Sequence, residues 1–358
     1  LKLIIKKWKK KINIAVIGVG WWCMDFHLPY LSSLSDVNLY SVCRFGKKEL
    51  EIIKNKYKFK YSSEDFKESL SYNELDGAII STPHAEHFTC AKEALQKKLH
   101  VIIEKPMTTS ASHAKELFYF QKKNKRQIII PYGYNFTKFM DKARNYIEEG
   151  IIGEIKHIDA SMSSATLDLF GGKGLIEAQN DTFQPLPSTW SDPNRAGGYA
   201  WGQTSHLIGA IFKLIDATPD KLFCFHLESP TKVDYTNAVS LMFKENITAT
   251  ISGCAYLPKK KEEHIDLKIH GTKGTLFLDI EPTRERLTVK IEDKNIEHDM
   301  NGEGALTYTT NPAIDALISA CKGKPVNHRS DETNGYKSVQ VLDAMYRSMK
   351  SNKVEEVY

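Results

Sequence analysis

About the first 130 residues alternate short apolar runs with helical stretches, and this alternation limits the possible folds more than any other feature of the chain. INIAVIG (12–18), NLYSVCR (38–44), DGAIIST (76–82), HVIIEKP (100–106) and QIIIPYGY (127–134) read as strands. WWCMDFHLPYLSSL, KKELEIIKNKY, HAEHFTCAKEALQKK and the segment from Ser110 to Lys123 read as the helices between them. The apolar runs are continuous rather than alternating, so both faces of the sheet must be covered, as in parallel sheets with helical crossovers. Such crossovers are right-handed, which predicts a doubly wound parallel (Rossmann) sheet.

The pattern changes near residue 135. A helix over 138–149 ends at Gly150, strand-like EIKHIDASMS follows, and 164–200 is irregular and rich in Gly, Pro, Asp and Asn. From about 221 to 297 the segments alternate apolar and polar residues, the mark of an antiparallel sheet with one covered face. Helices over 311–321 and about 332–350 close the chain. With 358 residues, too many for one ordinary core, the expectation is two domains. Residues 1–134 form a Rossmann dinucleotide-binding domain. Residues 135–358 form an α/β substrate-binding and oligomerisation domain with a largely antiparallel open sheet, its C-terminal helix packing back on the first domain.

The net charge of +5 suggests a nucleic-acid or membrane-surface partner, but six lysines lie within residues 1–11 and the rest of the chain carries −1. The basicity is a tail, so neither partner is expected. No apolar run reaches the length of about 18 residues that spans a bilayer, and GWWC lacks the small residues of a signal-peptide cleavage site. Cys23, Cys43, Cys90, Cys224, Cys254 and Cys321 are scattered without any short metal-type spacing. They read as reduced thiols of a cytoplasmic protein, with no metal site.

Gly18-Val19-Gly20-Trp21-Trp22-Cys23 follows the first strand and opens the first helix, where a dinucleotide-binding loop sits. Gly18 permits the tight turn, Gly20 lets the backbone approach a pyrophosphate, and the helix N-terminus supplies N–H donors and a positive dipole. The acid that normally ends the second strand and holds the adenosine ribose is replaced by Arg44, with Lys47 and Lys48 beyond. A cation there pairs with a 2′-phosphate, so NADP(H) is favoured over NAD.

STPHAEH (81–87) and EKP (104–106) end two neighbouring strands at the carboxyl edge, where ligands bind in such sheets. Lys105 projects from a strand end against the nicotinamide face, where an ammonium stabilises negative charge developing on a substrate oxygen. AGGYAWGQTSH (196–206) has two readings, a small aromatic packing corner or the rim of an active site with His206 as its acid–base group. The stretch contains no carboxylate to orient the imidazole.

The chain resembles the glucose–fructose oxidoreductase / inositol 2-dehydrogenase / MocA family of NAD(P)-dependent oxidoreductases. The resemblance rests on IAVIGVG (14–20), STPHAEH (81–87), HVIIEKP (100–106), EEGIIGEIKHI (148–158), AGGYAWGQTSHLIG (196–209) and HGTKGTLFLD (270–279), spread in order over almost the whole chain. It implies reversible oxidation of a secondary alcohol on a sugar, sugar derivative or cyclitol. It assigns catalysis to Lys105 and His206, and cofactor contacts to Thr82, Pro83, His84, His87 and Glu104 beside Gly18, Gly20, Trp21, Trp22 and Arg44. It also implies a homodimer or homotetramer. The family commonly carries an acid four residues before the histidine and often another three after it; this chain has Gly202 and Gly209.

The carboxylate's work then falls to a backbone carbonyl, to Asp168 or to Asp192, and Tyr199 is an alternative proton carrier. Asn135, Asp192, Arg195, Trp190 and Trp201 are the expected walls of a substrate pocket, with Arg195 able to meet an anionic substituent. Two other functions remain compatible: a cofactor-binding pseudoenzyme or sensor without turnover, and a glycoside hydrolase that uses bound NAD without net consumption.

Overall fold

The structure is a computed structural model that describes residues 11–175, 183–259, 261, 263–281, 284–300 and 308–358, so the lysine-rich start lies outside the described residues. The first sheet contains β1 (Ile12–Ile17), β2 (Val37–Cys43), β3 (Tyr61–Ser63), β4 (Gly77–Ile80), β5 (His100–Ile103) and β6 (Ile128–Ile129). Their order is β3-β2-β1-β4-β5-β6, and every pair is parallel. Every residue of β1 and of β4 is buried, as strands covered on both faces require. The crossovers carry α1 (Leu28–Ser33), α2 (Lys47–Tyr57), α3 (Phe66–Ser69), α4 (His87–Gln96) and α5 (Ala111–Asn124).

Strand order reverses between β1 and β4. That opens the crevice at their carboxyl ends, with Gly18–Gly20 on one side and Thr82–Glu86 on the other. The expected strand over 127–134 is much shorter, because Pro131 has no N–H to continue a ladder. Only Ile128 and Ile129 pair with β5, and a tight turn over Gly133–Phe136 follows. Ile130 is instead clasped by Ser330, whose carbonyl accepts from its N–H at 2.7 Å and whose hydroxyl donates to its carbonyl at 2.6 Å.

The second part begins with α6 (Lys138–Glu148) and β7 (Ile155–Ser163), then α7 (Leu167–Phe170), α8 (Pro187–Trp190) and α9 (Ser205–Leu214). The strands β8 (Pro219–Glu228), β9 (Asp234–Phe243), β10 (Thr248–Cys254), β11 (His264–Gly271), β12 (Gly274–Ile280), β13 (Arg286–Ile291) and β14 (Lys294–His298) follow. Helices α10 (Asn311–Cys321) and α11 (Glu332–Ser351) and the short β15 (Glu355–Glu356) close the chain. The sheet order is β14-β13-β12-β11-β7-β10-β9-β8-β15, antiparallel except for the parallel pair β7/β10. Alternate residues of β9 and β10 are buried, so one face is covered and the other open. Phe225, Leu227 and Met242 stand exposed on that sheet.

Helix α9 is buried at all ten positions, as expected for a helix that is packed all round rather than along one stripe. The last helices cross the division at 134. The α10 residues Ala313, Ile314 and Leu317 share a core with Ile14, Val16 and Ile102 of the first sheet, and α11 lies against both α5 and α9.

Candidate active site

The turn after β1 is built for close approach. Gly18 has φ +85°, and a Cβ there would lie 2.5 Å from the Thr82 nitrogen, so only glycine fits between the two strand-end loops. Nothing lies within 4 Å of a Cβ built on Gly20, which leaves its face open toward the crevice. The Thr82 hydroxyl is buried without a partner at the same edge. An open glycine face, a steric need for Gly18 and an orphan hydroxyl fit a bound dinucleotide. Past the turn the chain winds through a π-helical stretch, Cys23–His27, before α1.

Arg44 reaches back over this turn. Its guanidinium donates to the Val19 carbonyl at 2.6 Å and lies 4.6 Å from the Phe183 ring centre, while its Nε is buried without a partner. Trp22 is turned toward the other strand end, where its indole N–H donates to Glu104 Oε1 at 2.9 Å and its ring stacks on Phe26. Trp21 packs edge-on against both aromatics. His27 Nε2 meets the same Glu104 oxygen at 2.6 Å, and Glu104 Oε2 accepts from the Lys105 amide. Burial pushes the Glu104 carboxyl up, but the His27 and Trp22 hydrogen bonds and the Lys105 charge outweigh it and hold it below its usual range. Glu104 therefore pins the first helix to the strand end that presents Lys105.

His87 works similarly between the two loops. Its Nδ1 faces the Pro106 carbonyl and its Nε2 the Thr82 carbonyl, both at 2.8 Å, and the ring is wholly buried. It ties STP to EKP instead of facing a cofactor. Pro83 leads into the short helical turn that starts at His84. His84 contacts the second domain through Nδ1 and the Ala196 carbonyl at 3.0 Å, and meets Trp190 edge-to-face at 5.1 Å. Burial pulls its imidazole down to about 3, so it is neutral at physiological pH.

Lys105 and His206 come together from opposite sides of the crevice. The Lys105 ammonium donates to the Gly202 carbonyl at 2.6 Å, one turn before His206, and lies 5.8 Å from the Trp190 ring centre. Burial brings Lys105 down to about 8 against the opposing pull of Glu104 and Glu263. Burial and the Lys105 charge hold His206 well below the usual imidazole range. His206 Nδ1 is buried without a hydrogen-bond partner, and among the described residues no carboxylate hydrogen-bonds the ring. The edges of Tyr132 and Tyr308, 6.1 and 5.8 Å away, enclose it instead.

The two glycines are explained by packing. A Cβ at Gly202 would lie 2.8 Å from Phe170 Cζ and 3.2 Å from Trp190 Cζ3; one at Gly209 would lie 2.7 Å from the Tyr132 ring. The two candidate orienting acids are engaged elsewhere. Asp168 pairs with Lys259 at 2.5 Å, and Asp192 caps the turn Pro193–Arg195.

Several expected pocket residues are not pocket walls. Trp201 is 5% exposed and stacks on Tyr346 at 5.0 Å in the core under the second sheet. Tyr199 is fully buried, its hydroxyl donating to the Met162 carbonyl and bonded by Ser164, each at 3.2 Å. Burial pushes that phenol far up, so it stays protonated. Asn135 is also fully buried and donates to the Gly209 carbonyl at 3.0 Å, bracing α9. Arg195 is committed to Glu86 at 2.8 Å, a pair that bridges the STPHAEH loop and the second domain and neutralises the cation. Trp190 does line the site, against both His84 and Lys105.

Tyr132, Tyr134, Tyr308, Phe170 and Glu263 were not singled out in the sequence. The first two sit in what reads as a strand, and Glu263 falls in PKKKEEH, which reads as a solvated charge run.

Residues 12–132 match the oxidoreductase family with an NAD-binding Rossmann fold, GFO/IDH/MocA, and residues 140–277 match the GFO/IDH/MocA C-terminal domain. The chain belongs to this family. The GFO/IDH/MocA chain is 23% identical over 161 residues to the D-xylose 1-dehydrogenase [NADP(+)] of Haloarcula marismortui, covering 44% of this chain and 45% of that protein. It spans between two-fifths and half of the length of the first curated relatives it matches. Levoglucosan dehydrogenase in complex with NADH superposes with a TM-score of 0.77 at 16% identity, over 98% of this chain and 100% of that one. The WlbA dehydrogenase of Chromobacterium violaceum, in complex with NADH and UDP-GlcNAcA, superposes with a TM-score of 0.80 at 19% identity, over 98% and 97%. These structures share the fold. Among the described residues no group of His, Cys, Asp and Glu is arranged to hold a metal, and no helix is long and apolar enough to cross a membrane.

Proposed function

We propose that the protein transfers a hydride between NADP(H) and a secondary alcohol or ketone of a sugar-like polyol. The observation that carries this reading is the meeting of Lys105 and His206, one from each domain, at the open end of the Gly18–Gly20 crevice. When bound, the nicotinamide supplies the carbon that accepts or gives the hydride. His206 is neutral and exchanges the hydroxyl proton, and the Lys105 ammonium donates to the substrate oxygen and stabilises negative charge on it. Trp190 offers an aromatic face for the C–H side of a sugar ring. Arg44, beside the dinucleotide turn, favours NADP(H) through its positive charge.

The named substrates of the similar proteins, D-xylose and levoglucosan among them, support the polyol class. Phe225, Leu227 and Met242, exposed on the second sheet, support self-association, which a solution mass measurement decides. The test of activity is a panel of sugars, cyclitols and sugar phosphates, with formation of reduced nicotinamide followed by its absorbance. Oxidation of a polyol with NADP, abolished in Lys105→Ala and His206→Ala, is the expected result. Tight NADPH binding without turnover on any of the panel would favour a sensor, and unchanged turnover in both variants would refute the assigned chemistry.

A further inference from the structure

We propose that residues 183–196 are the outer wall of the dinucleotide site: a strap from the second domain that crosses the carboxyl edge of the first sheet and lifts to let the nucleotide in and out. The inference rests on reading the Gly18–Gly20 crevice as that site.

Both ends of the strap are fastened to the first domain. At one end Phe183, 6% exposed, shares the core of Val19 and Cys23, and the Arg44 guanidinium lies 4.6 Å from its ring centre. At the other end Arg195 pairs with Glu86 at 2.8 Å, and the Ala196 carbonyl meets His84 Nδ1 at 3.0 Å. Between them Trp190 stands 5.1 Å from the His84 ring and 5.8 Å from the Lys105 ammonium.

These fastenings follow a row of strand ends. Arg44 comes after β2, Gly18 after β1, His84 and Glu86 after β4, and Lys105 after β5, in the sheet order β2-β1-β4-β5. A segment tied at both ends of that row passes over the members between. Strands three spacings apart are separated by about 14 Å, and the chain from Phe183 to Trp190 reaches about 25 Å when extended. Space remains beneath it, since nothing lies within 4 Å of a Cβ built on Gly20. Phe183 then closes the adenosine end, Trp190 closes the nicotinamide end, and the slot at Gly20 is left for the pyrophosphate.

The strap is built to move as one piece. Pro185 and Pro187 restrict the backbone near its start. Further along, the amides of Thr189, Ser191, Gly197 and Gly198 donate to the carbonyls of Leu186, Pro187, Asp192 and Trp190 at 2.8–3.0 Å. Its latch is weaker than this internal bonding, because Arg195 and Glu86 are 41% and 42% exposed and an ion pair in water holds little.

Stopped-flow binding and displacement of NADPH, followed by energy transfer from tryptophan, gives both rate constants on the full chain and needs no turnover. Arg195→Ala removes the latch and leaves the cofactor turn intact. Association and dissociation should both quicken by about two- to fivefold, the worth of an exposed ion pair, while Kd stays nearly constant. Phe183→Leu keeps the apolar bulk but loses the guanidinium stack, and should quicken both by about three- to tenfold. Faster dissociation with unchanged association would make the segment a contact and not a gate, and unchanged rates in both variants would remove it from the site; either result overturns the proposal. NADPH binding without oxidation of any polyol would refute the chemistry proposed above and leave these rates to decide the strap. Binding of neither NADPH nor NADH would refute the crevice reading itself, and amide exchange, which needs no ligand, would then test the strap alone. Arg195→Ala should speed exchange from Gln184 to Ala196 together, and a change confined to residues 194–196 would overturn it.

Discussion

Lys105 Nζ lies 2.6 Å from the carbonyl oxygen of Gly202, so the strand-end lysine of one domain is anchored on the backbone of the helix that carries His206 in the other. The contact converts a glycine with no side chain into a participant in the site. It also registers α9 against β5, and the Glu104 network registers β5 against the dinucleotide turn. A π-helical stretch leads into both the helix after the Gly18–Gly20 turn and the histidine helix, Cys23–His27 before α1 and Ala200–Thr204 before α9, a local geometry that recurs at functional sites.

Position 202 tolerates no side chain as the site is packed. In Gly202→Ala the new Cβ meets Phe170 and Trp190 at 2.8–3.2 Å, and both are rigid rings. Overpacking of this kind costs about 1–3 kcal/mol, and the better helix propensity of alanine returns about 1 kcal/mol of it. Thermal unfolding should show a net loss for Gly202→Ala and a larger one for Gly202→Asp. Phe170→Leu should lessen the penalty of Gly202→Ala; equal penalties in both backgrounds would place the obstruction elsewhere.

Tyr199→Phe separates packing from chemistry at the aromatic loop. The hydroxyl is spent on the Met162 carbonyl and Ser164. Its removal should lower stability by about 0.5–1.5 kcal/mol, the net value of such a hydrogen bond. Turnover should stay within about twofold of the wild type. A loss of kcat near a thousandfold, in the range typical of a lost acid–base group, would restore Tyr199 as a proton carrier.

Arg44→Ala removes a guanidinium that bonds the Val19 carbonyl and sits beside the open face of Gly20. Binding of both nucleotides should weaken through the loosened turn. NADPH should lose about 1.5–3 kcal/mol more than NADH, the value of hydrogen bonds to a charged group, or between about ten- and a hundredfold in Kd. Titration of the two reduced nucleotides by fluorescence gives the ratio directly. An unchanged ratio would leave no part for Arg44 in cofactor choice.

The first domain was legible because its signals are local. Continuous apolar runs set the parallel sheet, Gly18 and Gly20 mark the turn, and Lys105 is where its motif puts it. The site's surroundings were less so, because they depend on contacts between distant segments. The tryptophan and tyrosine of AGGYAWGQTSH lie five and seven residues before His206, yet both point into the core behind it. The residues that do enclose it, Tyr132 and Tyr308, come from the end of β6 and the entry to α10. Glu263 was hidden in a charge run, since nothing in a sequence distinguishes a fully solvated glutamate from one that a distant tyrosine bonds, as Tyr134 does here. QIIIPYGY shows the opposite failure, because strand propensity continued past a proline at which the ladder stops.

The pH profile of kcat/KM brings the electrostatics of the site to one measurement. Burial lowers Lys105 from its ordinary range to about 8, so its ammonium is present below that pH and lost above it. Burial and the Lys105 charge lower His206 well below 6.5, so its neutral, proton-accepting form persists far into the acid range. Glu104 stays ionised and His84 stays neutral across the interval. Oxidation should therefore run on a plateau that extends from the acid range up to about pH 8 and fall tenfold per pH unit above it, as expected where a single protonated group is required. Lys105→Arg, if it preserves the Gly202 contact, keeps its charge to far higher pH and should remove the basic limb while lowering the plateau. A basic limb that survives in Lys105→Arg would assign it to another group and separate Lys105 from the developing oxyanion.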